Sequence, residues 1–220
     1  MDNHFFEESG TDNSRYRALL SGAQFGLAEY DQPLMELQDC VVTPTLGSIV
    51  PNWLLVIPRE HKVNFADWRL QYSHEPLDII SELLDHVRVP AHRAIWFEHG
   101  PDHVGSVIGC GVDHAHLHVL IDPPFVFEDF VTAVRKATDL DWMLSTPSEV
   151  YSSLPQHCSY LVAGGGDETI STQNTSSVGS QFFRRIIANL SGQPEAWNYK
   201  THPHIENVRT TISTFQNLTA

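Results

Sequence analysis

Apolar residues along this chain gather into short runs and into stripes of helical period, and the two kinds alternate. Residues 34–42 predict a strand. The unbroken run Trp53, Leu54, Leu55, Val56 and Ile57, closed by Pro58, predicts a buried central one. Residues 76–89 predict a helix: Leu77, Ile80, Leu83, Leu84 and Val87 fall on one stripe, Pro76 sits in the first turn and Pro90 ends it. Residues 93–97 predict a strand, and 114–121 another, stopped by Asp122, Pro123 and Pro124. A second helix is expected over 128–137 and a strand over 159–163. The three glycines at 164–166 and the Ser/Thr-rich stretch to Gly179 then predict a mobile loop. Ser180 is the expected cap of a helix over 181–190. Its Phe182, Phe183, Ile186, Ile187 and Leu190 turn inward, with Arg184 and Arg185 as a solvated flank. Weaker helical signals lie at 15–20 and within 197–215. Strands joined by turns, with helices between them, predict an α+β fold around a mostly antiparallel sheet.

Length and charge narrow the class. The 220 residues suit one large domain, read as an N-terminal segment 1–30, a catalytic domain 31–158 and an extension 159–220 packed on the same domain. A formal net charge of −14 argues against binding nucleic-acid backbones, which takes a basic stripe. A small anionic substrate remains compatible, because a few local donors outweigh a distant screened field. No apolar run approaches the roughly 20 residues of a membrane span. The acidic start, with Glu7 and Glu8, lacks the pattern of a secretory signal. Cys40, Cys110 and Cys158 are too scattered for a disulfide framework or a zinc clip. A soluble cytoplasmic protein is expected.

The chemistry lies in His114-Ala115-His116-Leu117-His118. On a strand the three imidazoles share one face, while Ala115, Leu117 and Val119 take the other. Three polar rings on one face are costly unless they do something. Imidazole attacks phosphorus well near neutral pH, and neighbouring rings can orient it and handle protons. Glycines at 105, 109 and 111 let backbone N–H groups approach phosphoryl oxygens. A His-x-His strand also ligates zinc or iron, with Asp113, Glu98 or another histidine as a further ligand. A metal-dependent enzyme and a non-enzymatic nucleotide-binding protein therefore stand as alternatives.

The run His114 to Leu120 resembles the signature of the histidine-triad superfamily, His-φ-His-φ-His-φ-φ with φ apolar. Trp53 to His61 is similar to that family's strand ending in Pro-basic-x-His. Phe97-Glu98-His99 followed by Gly109-Cys110-Gly111-Val112-Asp113-His114 is similar to a segment of its galactose-1-phosphate uridylyltransferase branch. The resemblance implies a five-stranded antiparallel sheet with helices and a homodimer. It also implies hydrolysis or transfer of a nucleoside monophosphate through a nucleotidyl-histidine. His116 would be the nucleophile, with His114 and His118 beside it. His61, His99, His103, Ser106, Gly109 and Gly111 would bind substrate. No metal or other cofactor is required, with Mg²⁺ accompanying a polyphosphate substrate. The chain departs from the pattern at Gly111, where many members have serine, and at His99, where asparagine is usual. Its His118 follows the hydrolase-like form, since the uridylyltransferase branch has glutamine there.

Overall fold

The computed structural model describes residues 16, 19, 20, 28–37, 39–71, 75–106, 112–173 and 175–218. In chain order its main elements are β1 (Met35–Leu37), β2 (Cys40–Pro44), β3 (Trp53–Pro58), α1 (Phe65–Arg69), α2 (Pro76–His86), β4 (Ala94–Gly100) and β5 (Leu117–Ile121). There follow α3 (Phe127–Ala137), β6 (Met143–Ser145), α4 (Pro147–Ser153), β7 (Tyr160–Gly165), β8 (Glu168–Gln173), α5 (Phe182–Leu190) and α6 (Ile205–Leu218). The strands form one antiparallel sheet in the order β1-β2-β3-β5-β4-β7-β8-β6. The fold is α+β, with eight strands rather than the five expected.

The added strands have a physical origin. Residues 168–173, expected as loop, carry Thr169, Ile170 and Thr172, and such β-branched residues suit a pleated surface once neighbours exist on both sides. Gly166, at φ 59°, makes the first corner of the two-residue turn between Gly165 and Glu168. The predicted strand 34–42 is a hairpin of β1 and β2. The start of α5 also differs: Gln181, at φ 61°, precedes the helix without a side-chain cap, in place of the expected Ser180. Tyr16, Leu19 and Leu20 are helical, and the rest of the 15–20 expectation lies outside the described residues.

The strand read over 114–121 starts at Leu117. Upstream of it the backbone is otherwise engaged, with Ala115 N–H donating to the Lys62 carbonyl (2.6 Å) and the His114 carbonyl accepting from a ring. β5 lies between β3 and β4, with Leu55 and Phe97 both across from His118. Its Leu117 and Val119 enter one core with Leu54, Val56 and Trp96, beneath α1, α2 and α4, and Ala115 just upstream joins them. Burying each of the Leu and Val side chains is worth about 1.5–3 kcal/mol. The opposite face carries Trp53, Ile95, Phe97 and Leu120 under Phe127 and Phe130 of α3 and Phe183 and Ile187 of α5. A smaller cluster of Tyr16, Leu19, Val41, Leu55 and Ile57 lies beside it. No helix among the described residues is long and apolar enough to cross a membrane.

Beneath the first face, the ring of Tyr160 fills the space a Cβ on Gly100 would need, and its hydroxyl reaches Glu98 (2.6 Å). Tyr151 Oη and Phe65 N–H also donate to that carboxylate, each at 2.8 Å. Burial nevertheless outweighs the three donors and pushes the Glu98 carboxyl up to about 7. A carboxyl raised in the folded state contributes stability that is complete below its unfolded value of 4.5 and lost as pH rises through about 7. That contribution is roughly 3 kcal/mol. The depressed value of His99 has the opposite sign, so the informative quantity is a difference between proteins. Urea unfolding of wild type and Glu98→Gln from pH 4.5 to 8 should show wild type losing stability relative to the variant. Parallel pH profiles would refute this account of the carboxyl.

Candidate active site

The side chain of each imidazole is assigned by what its ring nitrogens touch. A carbonyl only accepts, so any ring nitrogen facing one carries the proton. His116 Nδ1 lies 2.8 Å from the carbonyl of His114 and therefore donates, which leaves its lone pair on Nε2. His114 Nε2 donates to the Pro58 carbonyl at 2.7 Å, and His61 Nε2 donates to the Asp113 carbonyl at 2.6 Å. His118 is the reverse case. The indole N–H of Trp53 points at its Nδ1 (3.0 Å), so Nδ1 accepts and the proton of the neutral ring is on Nε2. A second proton on His118 would set two N–H groups against each other.

The rings form a connected row. His116 and His118 stand edge to face with centroids 5.1 Å apart, and Tyr16 touches both His114 and His116. His118 is stacked on Phe97 at 4.6 Å. His114 and His118 are 3% and 5% exposed, whereas His116 is only half-buried, the most accessible ring of the three. Burial holds His114 below the usual imidazole range, partly offset by its bond to Pro58.

A narrow cleft of about 30 Å³ opens over this row. His116 and His118 line it together with Tyr16, Leu55, Thr45 and Leu46, and with Val112, Tyr199 and Arg184. Phe97 is the last β4 residue paired with β5, and His99, two positions further along β4, lies close enough to His116 to feel its charge. Burial, together with the neighbouring His116, lowers His99 to about 4, so it is neutral near pH 7. Its Nε2 is buried with no hydrogen-bond partner among the described residues.

His61 lies edge-on to His114 at 5.3 Å, adjoining the row rather than the cleft. His103 is exposed and paired with Asp102 at 2.8 Å. It and Ser106 belong to a turn tethered to the triad, where Gly105 N–H donates to Asp113 Oδ1 at 3.0 Å. Gly109 and Gly111 lie outside the described residues, as does Cys110. No three His, Cys, Asp or Glu side chains among the described residues converge as a metal-ligand set.

The largest correction concerns Arg184, expected as solvated flank. It is 3% exposed and lines the cleft. On α5 it shares a stripe with Ile187 and Ala188, both buried, whereas Arg185 leads to the exposed Asn189. That i, i+3, i+4 spacing was the available signal. Trp53, read only as a core strand residue, holds a triad histidine, a pairing no local pattern announces.

No protein-family model matches the chain, and no curated protein does. Among solved structures, yeast Ap4A phosphorylase in complex with AMP is similar over 86% of this chain and 80% of that one, at 13% identity and a TM-score of 0.41.

The proton assignments are directly measurable. Imidazole ¹⁵N shifts at pH 7 should show His116 as the Nδ1–H tautomer and His118 as the Nε2–H tautomer, with His99 neutral down to about pH 4. Trp53→Phe should let His118 exchange between tautomers. A cationic His118 in wild type at pH 7 would contradict the assignment.

Proposed function

We propose that this site transfers or hydrolyses a nucleotidyl group through a covalent adduct on His116. The observation that carries this reading is the hydrogen bond from His116 Nδ1–H to the His114 carbonyl. It commits the lone pair to Nε2 on the most accessible ring of the row. The triad signature and the Pro58–His61 segment that follows the strand support the same chemistry.

In the first step the Nε2 lone pair attacks the substrate's α-phosphorus. The bond from phosphorus to the leaving oxygen breaks, and its electron pair departs with that oxygen. The His114 carbonyl, accepting from Nδ1–H, stabilises the positive charge that develops on the imidazole. His118 Nε2–H is a donor to a phosphoryl oxygen. His99, neutral and close to His116, offers a further ring nitrogen to the same group. In the second step water or a phosphate acceptor attacks the adduct. The P–N bond breaks, its electrons return to Nε2, and a water acceptor loses a proton to solvent. The aromatic faces of Tyr16 and Tyr199 and the apolar Leu46, Leu55 and Val112 are suited to a nucleobase or sugar. No cofactor enters the scheme, with Mg²⁺ only as the companion of a polyphosphate.

Intact-mass measurement after mixing with diadenosine polyphosphates, adenosine phosphoramidate or nucleotide sugars should reveal an adduct of one nucleoside monophosphate, accumulating in His118→Ala. His116→Ala should form none and lose activity by at least about 10³-fold. An adduct that survives His116→Ala, or none with any substrate, would remove this reading.

A further inference from the structure

His99 has a ring nitrogen that the fold leaves unused, and β4 sets where that ring points. Phe97 packs its ring on His118, and side chains alternate along a strand, so His99 faces the same side two positions on. Its partner across β7 is Leu161, which belongs with Phe97, Trp53 and Phe183 to the core on that face. Glu98 between them turns the other way, to Tyr151 and Tyr160. His99 is 9% exposed and lies close enough to His116 to feel its charge. Its buried Nε2 meets no hydrogen-bond partner among the described residues. Such an atom costs stability unless a ligand or water completes it, so its place beside His116 calls for a chemical reason.

The second half of the proposed reaction supplies one. Water, a neutral acceptor, must lose a proton as it attacks phosphorus, whereas a phosphate anion attacks without losing any. In the adduct neither histidine lining the cleft has a nitrogen left to take that proton. His116 Nε2 is bonded to phosphorus, and its Nδ1–H is held by the His114 carbonyl. His118 accepts from Trp53 on Nδ1 and carries its proton on Nε2. A lone pair on His99 Nε2 meets the need. Burial keeps this ring neutral well above about pH 4, so the lone pair is present at pH 7 and a proton taken there passes on readily to solvent. Its low basicity puts the expected gain at the lower end of the roughly 10²–10⁴-fold typical of such proton transfer.

We propose that His99 is the general base of the second step, accepting through Nε2 the proton of the water that attacks the His116 adduct. This rests on the nucleotidyl-transfer reading above and adds to it the choice of acceptor. The water oxygen bonds to phosphorus as one of its O–H bonds breaks, and that proton goes to His99 Nε2. The P–N bond breaks and its electron pair returns to His116 Nε2. His99 then gives the proton to solvent, and the nucleoside monophosphate leaves. An asparagine at this place would orient a water without taking its proton, which leaves an anionic acceptor as the better one.

The test separates formation of the adduct from its breakdown in the full chain. Wild type and His99→Asn are mixed with diadenosine triphosphate, and the adduct is followed by intact mass in time, with and without inorganic phosphate. His99→Asn should form the adduct within about threefold of the wild-type rate and hydrolyse it ~100-fold more slowly. Equal slowing of both steps, unchanged hydrolysis, or a loss toward phosphate as large as the loss toward water would overturn the proposal. Imidazole ¹⁵N shifts of wild type keep it open to refutation if the variant fails to fold. His99 should be the Nδ1–H tautomer at pH 7, and the Nε2–H tautomer would overturn the assignment. If wild type forms no adduct on His116, the nucleotidyl reading fails. An adduct that His99→Asn hydrolyses at the wild-type rate leaves that reading standing and removes this one.

Discussion

A buried imidazole can hold each ring nitrogen as donor or acceptor, and its surroundings decide which. Here three backbone carbonyls and one indole N–H make those decisions. The carbonyls of Pro58, Asp113 and His114 each take a proton from a ring, and Trp53 gives one. Much of the nearby architecture serves to bring those partners within reach. β3 carries both Trp53 and Pro58, and β5 lies against it in the register that aligns Leu55 with His118. The segment before β5 leaves the ladder so that its carbonyl can face a side chain. Without these partners three imidazoles on one face would be costly and chemically ambiguous.

The same physics divides neighbouring residues on β4. Glu98 and His99 point to opposite sides of the sheet, and burial acts on both. It drives the carboxyl up to about 7 and the imidazole down to about 4, in each case toward the uncharged form. Glu98 has three donors around it and ties α1, α4 and β7 to β4. His99 has its ring beside His116. One strand therefore carries a structural tie on one face and a neutral imidazole beside His116 on the other.

Much of the central framework was legible in the chain. The apolar run 53–57, the stripe on 76–86 and the alternation after His114 have strong local periods, and each marks an element found in the fold. The predicted clustering of His116 and His118 follows from strand geometry alone. What escaped depends on partners distant in sequence. Thr169 to Gln173 reads as a polar loop until β7 and β6 flank it. Arg184 reads as a flank because its burial comes from Gly47, 137 positions away, and from Trp197. The bond from Trp53 to His118 spans 65 positions, and nothing near either residue signals it.

The loop between β2 and β3 supplies Thr45 and Leu46 to the cleft, yet it is stitched to the far end of the chain. Gly47 N–H donates to the Pro203 carbonyl, Asn207 donates to the carbonyls of Ser48 and Ile49, and Asn52 N–H donates to Thr211 Oγ1. A nascent chain that has emerged as far as His118 holds the three histidines but lacks Arg184 and Tyr199 of the cleft wall. Loop closures of this span come late in folding. Assembly of the cleft is therefore timed by the last helix, and the ring of His116 is enclosed only once the whole domain has formed.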